Sequence, residues 1–328
     1  MTDVSSAAQN SLDQHVLAPV RSWLASAVTL RRLALASVVA NVGIVITGGA
    51  VRLTGSGLGC PTWPRCTDES YVATPEMGIN GAIEFGNRLL TFVLAAVAIL
   101  GFLAALAQQP RRRRVVRLSV YAGLGIPAQA IIGGITVLTK LNPWVVGCHF
   151  LASIAVIAAA YAFWRSAVES DAPVVATVPV PLRWMTAVLT AASAAVTVVG
   201  TVVTGSGPHA GDAGAARNGL DPENIAQVHV DLVFLFLGLT VAAWFAFRAV
   251  GSAATRPVAW LLVISAAQGL IGFVQYFSHL PIVLVGAHMA GSCAVWVGTL
   301  AVWYATRQRP ISIADGEPRV RVAAGVAR

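Results

Sequence analysis

Gln129-Ala130-Ile131-Ile132-Gly133 followed by Gly147-Cys148-His149 has a second copy in Gln268-Gly269-Leu270-Ile271-Gly272 followed by Gly286-Ala287-His288. Each glutamine stands twenty residues before its histidine, and each histidine follows a small residue after a glycine. The chain is therefore internally repeated. Imidazoles at matching positions of an apolar repeat are candidates for metal or heme ligation across a helix bundle.

Outward from these stretches the chain is strongly apolar. Its hydrophobic fraction is 56% and its charged fraction 11%, against roughly 25% charged residues in a soluble domain. Apolar runs of about 20 residues, the length that crosses a bilayer, fall at roughly 34–53, 88–107, 118–138, 145–164, 184–204, 229–249, 257–277 and 282–305. The pattern predicts an all-α membrane protein, with about eight transmembrane helices as two parallel-repeat four-helix bundles. The first twenty residues lack an apolar core behind basic residues, so no cleaved signal is expected and the first span directs insertion.

Other stretches extend the repeat. Thr54-Gly55-Ser56-Gly57 closes span one and Thr204-Gly205-Ser206-Gly207 closes span five, while Ile83, Asn87 and Phe92 align without gaps on Ile225, His229 and Phe234. Four spans per copy make both copies run the same way through the membrane, unlike an inverted-repeat transporter. The halves are expected at 31–168 and 182–306, joined by a polar linker at 169–181. Residues 1–30 and 307–328 are expected as cytoplasmic tails, with 1–20 and 310–328 too polar to pack.

Arginine placement sets the orientation, because basic loops stay cytoplasmic. Arg111 to Arg114, Arg117, Arg165, Arg183, Arg248 and Arg256 fall in or beside alternate connections, and Arg307, Arg309, Arg319, Arg321 and Arg328 in the tail. The sequence thus predicts a multi-pass protein of the plasma membrane with both termini cytoplasmic. The net charge of +8 follows from that topology, with phospholipid headgroups as partners and no call for nucleic acid.

In this orientation His149, His229 and His288 fall in the first turns of even-numbered spans, near the outer face. His229 and His288, at matched depth in one four-helix unit, can offer two nitrogens to a single iron from opposite sides. The plainer reading of any one of them is a polar residue hydrogen-bonded within the bundle; the repeat-matched pair favours ligation. The first half carries Glu84, Asn87 and Arg88 at the same level. Glu84 shares a helix face with Asn87 and can pair with Arg88. It either steadies the helix start and neutralises Arg88 or moves protons beside the site. Cys60 and Cys66 lie in the first outer loop, on the oxidising side, where a structural disulfide is favoured over a redox or metal-binding thiol pair. Cys148 and Cys293 read as small packing residues within spans.

Thr54-Gly-Ser-Gly-Leu-Gly-Cys60-Pro-Thr-Trp-Pro64, Ile83-Glu-Phe-Gly-Asn-Arg88, Gly147-Cys-His149, Thr204-Gly-Ser-Gly-Pro-His209-Ala-Gly-Asp212 and Gly286-Ala-His288 together resemble heme A synthase, over nearly all of residues 31–305. That resemblance implies a heme-dependent membrane oxidoreductase converting the C8 methyl of heme O to a formyl group, giving heme A for terminal oxidases. It implies a C-terminal half holding heme b between His229 and His288. It also implies an N-terminal half that binds heme O through His149, Asn87 and Arg88, with Glu84 as the catalytic carboxylate. Arg52, Arg88 and His209 are candidates for the heme propionates, or ordinary loop residues. A heme O synthase and an electron-transfer protein are the expected partners.

The chain departs from the family pattern at one position. Glu-x-x-His-Arg is usual in span two, and here the histidine is Asn87. Asparagine is a poor iron ligand, so His149 is expected as the sole protein ligand to the first-half heme, with Asn87 hydrogen-bonding whatever takes the opposite position. A di-heme membrane cytochrome for electron transfer and a heme carrier or exporter are the competing classes. The cytochrome gives no reason for the Glu84 segment or the unequal halves, and a carrier would bind heme without altering it.

Overall fold

The computed structural model describes residues 18–310. A short helix α1 (Ala18–Ala25) leads into eight long ones: α2 (Ala27–Leu53), α3 (Gly78–Ala107), α4 (Arg113–Leu138), α5 (Pro143–Val168), α6 (Val180–Ser206), α7 (Pro222–Ala249), α8 (Thr255–Phe277) and α9 (Ile282–Ala305). All eight are long and apolar enough to cross a membrane. The protein is an all-α, multi-pass membrane protein. The tail arginines 319, 321 and 328, and the polar stretches 1–17 and 311–328, lie outside the described residues.

Contacts close the helices into two rings. In the first, α2 meets α3 and α5, and α4 meets α3 and α5; in the second, α6 meets α7 and α9, and α8 meets α7 and α9. The rings abut through α2 and α5 on one side and α6 and α9 on the other. Val38, Ala122, Ala160 and Tyr161 pack there on Leu300 and Tyr304, and the Trp296 indole N–H donates to the Ile154 carbonyl at 3.1 Å. Separate cores fill the rings, around Phe163 and Leu30 in the first and Phe247 and Leu261 in the second. Small residues permit the close approach that membrane helices rely on: Gly101 faces the Phe163 ring, and Gly298 faces Leu261.

The repeat extends to backbone conformation. α4 ends on Lys140 and Leu141, with φ of 50° and 58°, and α8 ends on His279 and Leu280, with φ of 62° and 58°. L-residues with side chains seldom adopt this left-handed region. The same hydrogen bonds hold both turns, Leu141 N–H to Thr136 O at 2.8 Å and Leu280 N–H to Gln275 O at 2.7 Å. Two strained residues let the next helix start at once, so His149 is the seventh residue of α5 and His288 the seventh of α9.

Several boundaries differ from expectation. α3 begins ten residues before the apolar run at 88, because Glu84 and Arg88 neutralise each other along the helix at 2.6 Å and need no aqueous end. The three histidines sit about two turns inside α5, α7 and α9, not in the first turn. Residues 18–20 belong to α1, which the Gln108 side chain ties to α3 by donating to the Ala25 carbonyl. Within 169–181, strand β1 (Val175–Ala176) pairs antiparallel with β2 (Arg307–Gln308). Both are too short to leave a sequence period. Of the two lone cysteines, Cys293 is buried as expected, but Cys148 is exposed on its helix and contributes no core packing.

Candidate active site

The second ring brings two histidines together. His229 on α7 and His288 on α9 face each other with ring centroids 6.4 Å apart and planes at 73°. Each has a buried Nδ1 with no hydrogen-bond partner among the described residues. Two nitrogen–metal bonds of roughly 2 Å plus two half-rings come to a little over ~6 Å, so the gap accommodates one metal atom between the imidazoles. Among the described residues no three of His, Cys, Asp and Glu gather as a metal site. Two histidines alone would leave a metal short of ligands, so the pair fits a metal that brings its own, as a macrocycle does.

Glycines and glutamines fix the rings. A Cβ at Gly200 on α6 would stand 2.9 Å from His229 Cε1, and one at Gly272 on α8 would stand 3.2 Å from His288 Cε1. The missing side chains are what let the imidazoles come this close to neighbouring helices. Gln268 Nε2 donates to the His288 carbonyl at 2.6 Å, seating α9 on α8 at the histidine itself.

The first ring repeats this scheme with one change. A Cβ at Gly133 would stand 3.2 Å from His149 Cε1, Gln129 Nε2 donates to the His149 carbonyl at 3.3 Å, and His149 Nδ1 is buried and unpartnered among the described residues. At the position matching His229 stands Asn87. Its Oδ1 accepts from the Thr47 hydroxyl of α2 at 2.7 Å. In the other half Thr197, at the matching point of its TGSG-closed helix, donates to its own backbone at Ser193. Thr47 is thus a site residue that sequence reading missed, because a threonine inside an apolar span gives no sign of its partner.

Glu84 is 6% exposed, and both its oxygens are engaged. Oε2 accepts from the Cys60 N–H at 2.6 Å and Oε1 from Arg88 Nη2 at 2.6 Å. Arg88 also donates to the carbonyls of Cys60, Thr62 and Arg65. This ion pair is the clasp that holds the loop between α2 and α3, in which Cys60 and Cys66 form a disulfide. The loop carries Trp63, whose indole packs where a side chain at Gly134 would otherwise stand, one residue from the glycine under His149. Glu84, the disulfide loop and the His149 pocket are thereby one connected structure.

Arg52 and His209 are taken up in joining the loops that follow α2, α6 and α8. Arg52 donates to the carbonyls of His209 and Thr204 at 2.7 and 2.9 Å, His209 Nε2 lies 2.9 Å from the Leu280 carbonyl, and Gly57 N–H donates to Gly211 O at 2.8 Å.

Residues 31–218 match the family described as cytochrome oxidase assembly protein. The chain belongs to this family. Its similar relatives include a heme A synthase of Listeria welshimeri, 32% identical over 113 residues, which are 34% of this chain and 37% of that one. One of Lysinibacillus sphaericus is 34% identical over 110 residues, 33% of this chain and 35% of the relative. One of Bacillus pumilus is 30% identical over 123 residues, 37% and 39% of the two chains. The matches thus span little more than a third of each relative's length. The heme A synthase resemblance of the motifs holds at the level of the family, whose matched region contains Glu84, Asn87 and His149.

Proposed function

We propose that this cytochrome oxidase assembly protein is a heme A synthase that oxidises the C8 methyl of heme O to a formyl group. The observation that carries the reading is the repeated half-site: a facing histidine pair in one ring, and in the other a single histidine in the same glycine cradle beside a clasped carboxylate. Taking CH3 to CHO removes four electrons, which side chains alone cannot accept. In this reading the second ring holds heme b between His229 and His288, and that heme supplies the electron relay. The first ring binds heme O through His149, and Glu84 moves protons at the reacting methyl. Both termini are cytoplasmic and both sites lie toward the outer face, in keeping with the positive-inside rule. A heme O synthase that hands over its lipid-like product and a separate electron-transfer protein complete the system.

Chromatography with mass detection of hemes from membranes that make heme O tests the reaction. Heme A or its alcohol precursor should appear only when the protein is present. Bound heme b with heme O unchanged, under a working electron supply, would instead support a cytochrome or carrier.

Two further outcomes are expected. Valine at Gly200 or Gly272 must push the imidazole aside, so bound heme b per protein should fall about tenfold, consistent with overpacking costs of 1–3 kcal/mol. Gly43→Ala, which meets nothing within 4 Å, is the control, and the pyridine hemochrome assay is the readout. Asn87→His should add a second imidazole opposite His149 and turn the spectrum of bound heme O toward the bis-histidine form. Turnover should change with the ligand set. An unchanged spectrum and rate would refute the role given to Asn87.

A further inference from the structure

At the helix ends opposite the histidines, four arginines converge. Arg114 and Arg117 in the first turns of α4 and Arg307 and Arg309 beyond α9, with Tyr121 and Tyr304, line a cavity of about 360 Å³. Carboxylates are scarce around it. Glu169 is shared among Arg114 at 3.3 Å, Arg165 at 2.9 Å and Arg309 at 3.7 Å, and Asp171 is committed to Arg112 at 2.9 Å. Arg117 and Arg307 have no carboxylate partner among the described residues. The Arg307 guanidinium lies 4.2 Å from the centre of the Tyr304 ring. The Arg307 Nε is buried without a hydrogen-bond acceptor among the described residues, whereas Arg309 is engaged by Glu169 and by the Ala172 carbonyl.

Guanidinium groups that face one cavity with unspent donors call for an anion whose oxygens can be gripped in pairs, and phosphate fits that fork. The remaining wall is apolar, made by Leu118 and Ala162. Tyr121 lies exposed on the side of α4, so a hydrocarbon chain attached to the anion has a path along the helices. We propose that this cavity binds the phosphate of an anionic phospholipid headgroup, with the acyl chains running down α4 and α5 into the bilayer. A zwitterionic headgroup would bring its own cation against the arginines and is disfavoured. Basic pockets between membrane helices at the cytoplasmic surface recognise anionic headgroups in this manner. The lipid spans a seam, since α4 and α5 belong to the first ring and α9 and β2 to the second. It thereby clasps the two halves at the end where the β1–β2 pairing, the Glu169 cluster and hydrogen bonds from Ser170, Thr177 and Arg309 also join linker and tail. None of this depends on heme chemistry.

Full-length protein in detergent, supplied with cardiolipin, phosphatidylglycerol or phosphatidylcholine and read by native mass spectrometry, tests the site. Inorganic phosphate and glycerol phosphate serve as headgroup chemistry without chains. The wild type should retain the anionic lipids at least about tenfold over phosphatidylcholine, and R117Q/R307Q should lose that preference while R117K/R307K keeps most of it. Equal retention of phosphatidylcholine by the wild type overturns the proposal and requires no variant. So does undiminished preference in a monodisperse R117Q/R307Q. Soluble phosphate bound as tightly as the lipids would make the occupant a free anion and likewise overturn the lipid assignment.

Discussion

His229→Ala or His288→Ala should remove heme b from the purified protein, lowering heme per chain by at least about tenfold, because on the proposed reading these two residues would hold it together. The rings face each other at 6.4 Å, with no third protein ligand gathered beside them among the described residues, so no neighbour can substitute. Each substitution also leaves a cavity over Gly200 or Gly272, and that loss of packing adds to the loss of ligation. His149→Ala should leave this spectrum intact, since His149 lies in the other ring. Absorbance of the reduced protein and the pyridine hemochrome assay are the measurements. A normal bis-imidazole spectrum retained in both variants would refute the ligand pair.

The eight spans were legible because apolar runs of bilayer length are hard to produce by any other fold. Their starts were less so. Glu84 and Arg88 looked like a helix boundary because a charge is ordinarily expensive in a membrane, whereas here the i,i+4 pair and the loop carbonyls satisfy both and the helix runs through. The histidine repeat could be read because spacing along the chain survives as spacing along the helices. What surrounds the histidines could not, since it depends on which helices become neighbours. Gly133 and Gly272 belonged to the repeated motif, but that they are cradles for imidazoles follows only from α4 packing on α5 and α8 on α9. Gly200, a lone glycine within a run of valine and threonine, was the one available hint of close approach. The left-handed turns at Lys140-Leu141 and His279-Leu280 were invisible, because neither carries the glycine that such φ values usually demand.

The two rings share a scaffold and differ where chemistry would differ. The second keeps two histidines facing each other, an arrangement that saturates an iron and suits electron transfer. In the first, asparagine replaces one imidazole and is steadied by Thr47. A disulfide-closed loop covers the same end, and a carboxylate fastens that loop. A reactive site in the first ring would need protons supplied to it and bulk water kept out. The clasped loop, with Trp63 packed at Gly134, is the element placed to exclude it.

Glu84 carries the second large expected effect. Glu84→Gln should reduce heme A formation by roughly 10²–10⁴-fold, the range over which a positioned acid–base group contributes, while leaving the heme b spectrum unchanged. Glutamine retains an oxygen for the Cys60 N–H but loses the charge that holds Arg88. Arg88 keeps three carbonyl acceptors, so the loop should stay closed. Glu84→Ala removes the acceptor as well and should loosen the loop, which accessibility of Trp63 to an aqueous fluorescence quencher would report. Comparing the two separates proton transfer from loop fastening. Loss of product in Glu84→Gln with Trp63 still shielded assigns the loss to proton chemistry. Activity retained in Glu84→Gln and lost in Glu84→Ala, with Trp63 newly accessible, would reduce Glu84 to the loop's anchor and leave the proton donor to be sought elsewhere.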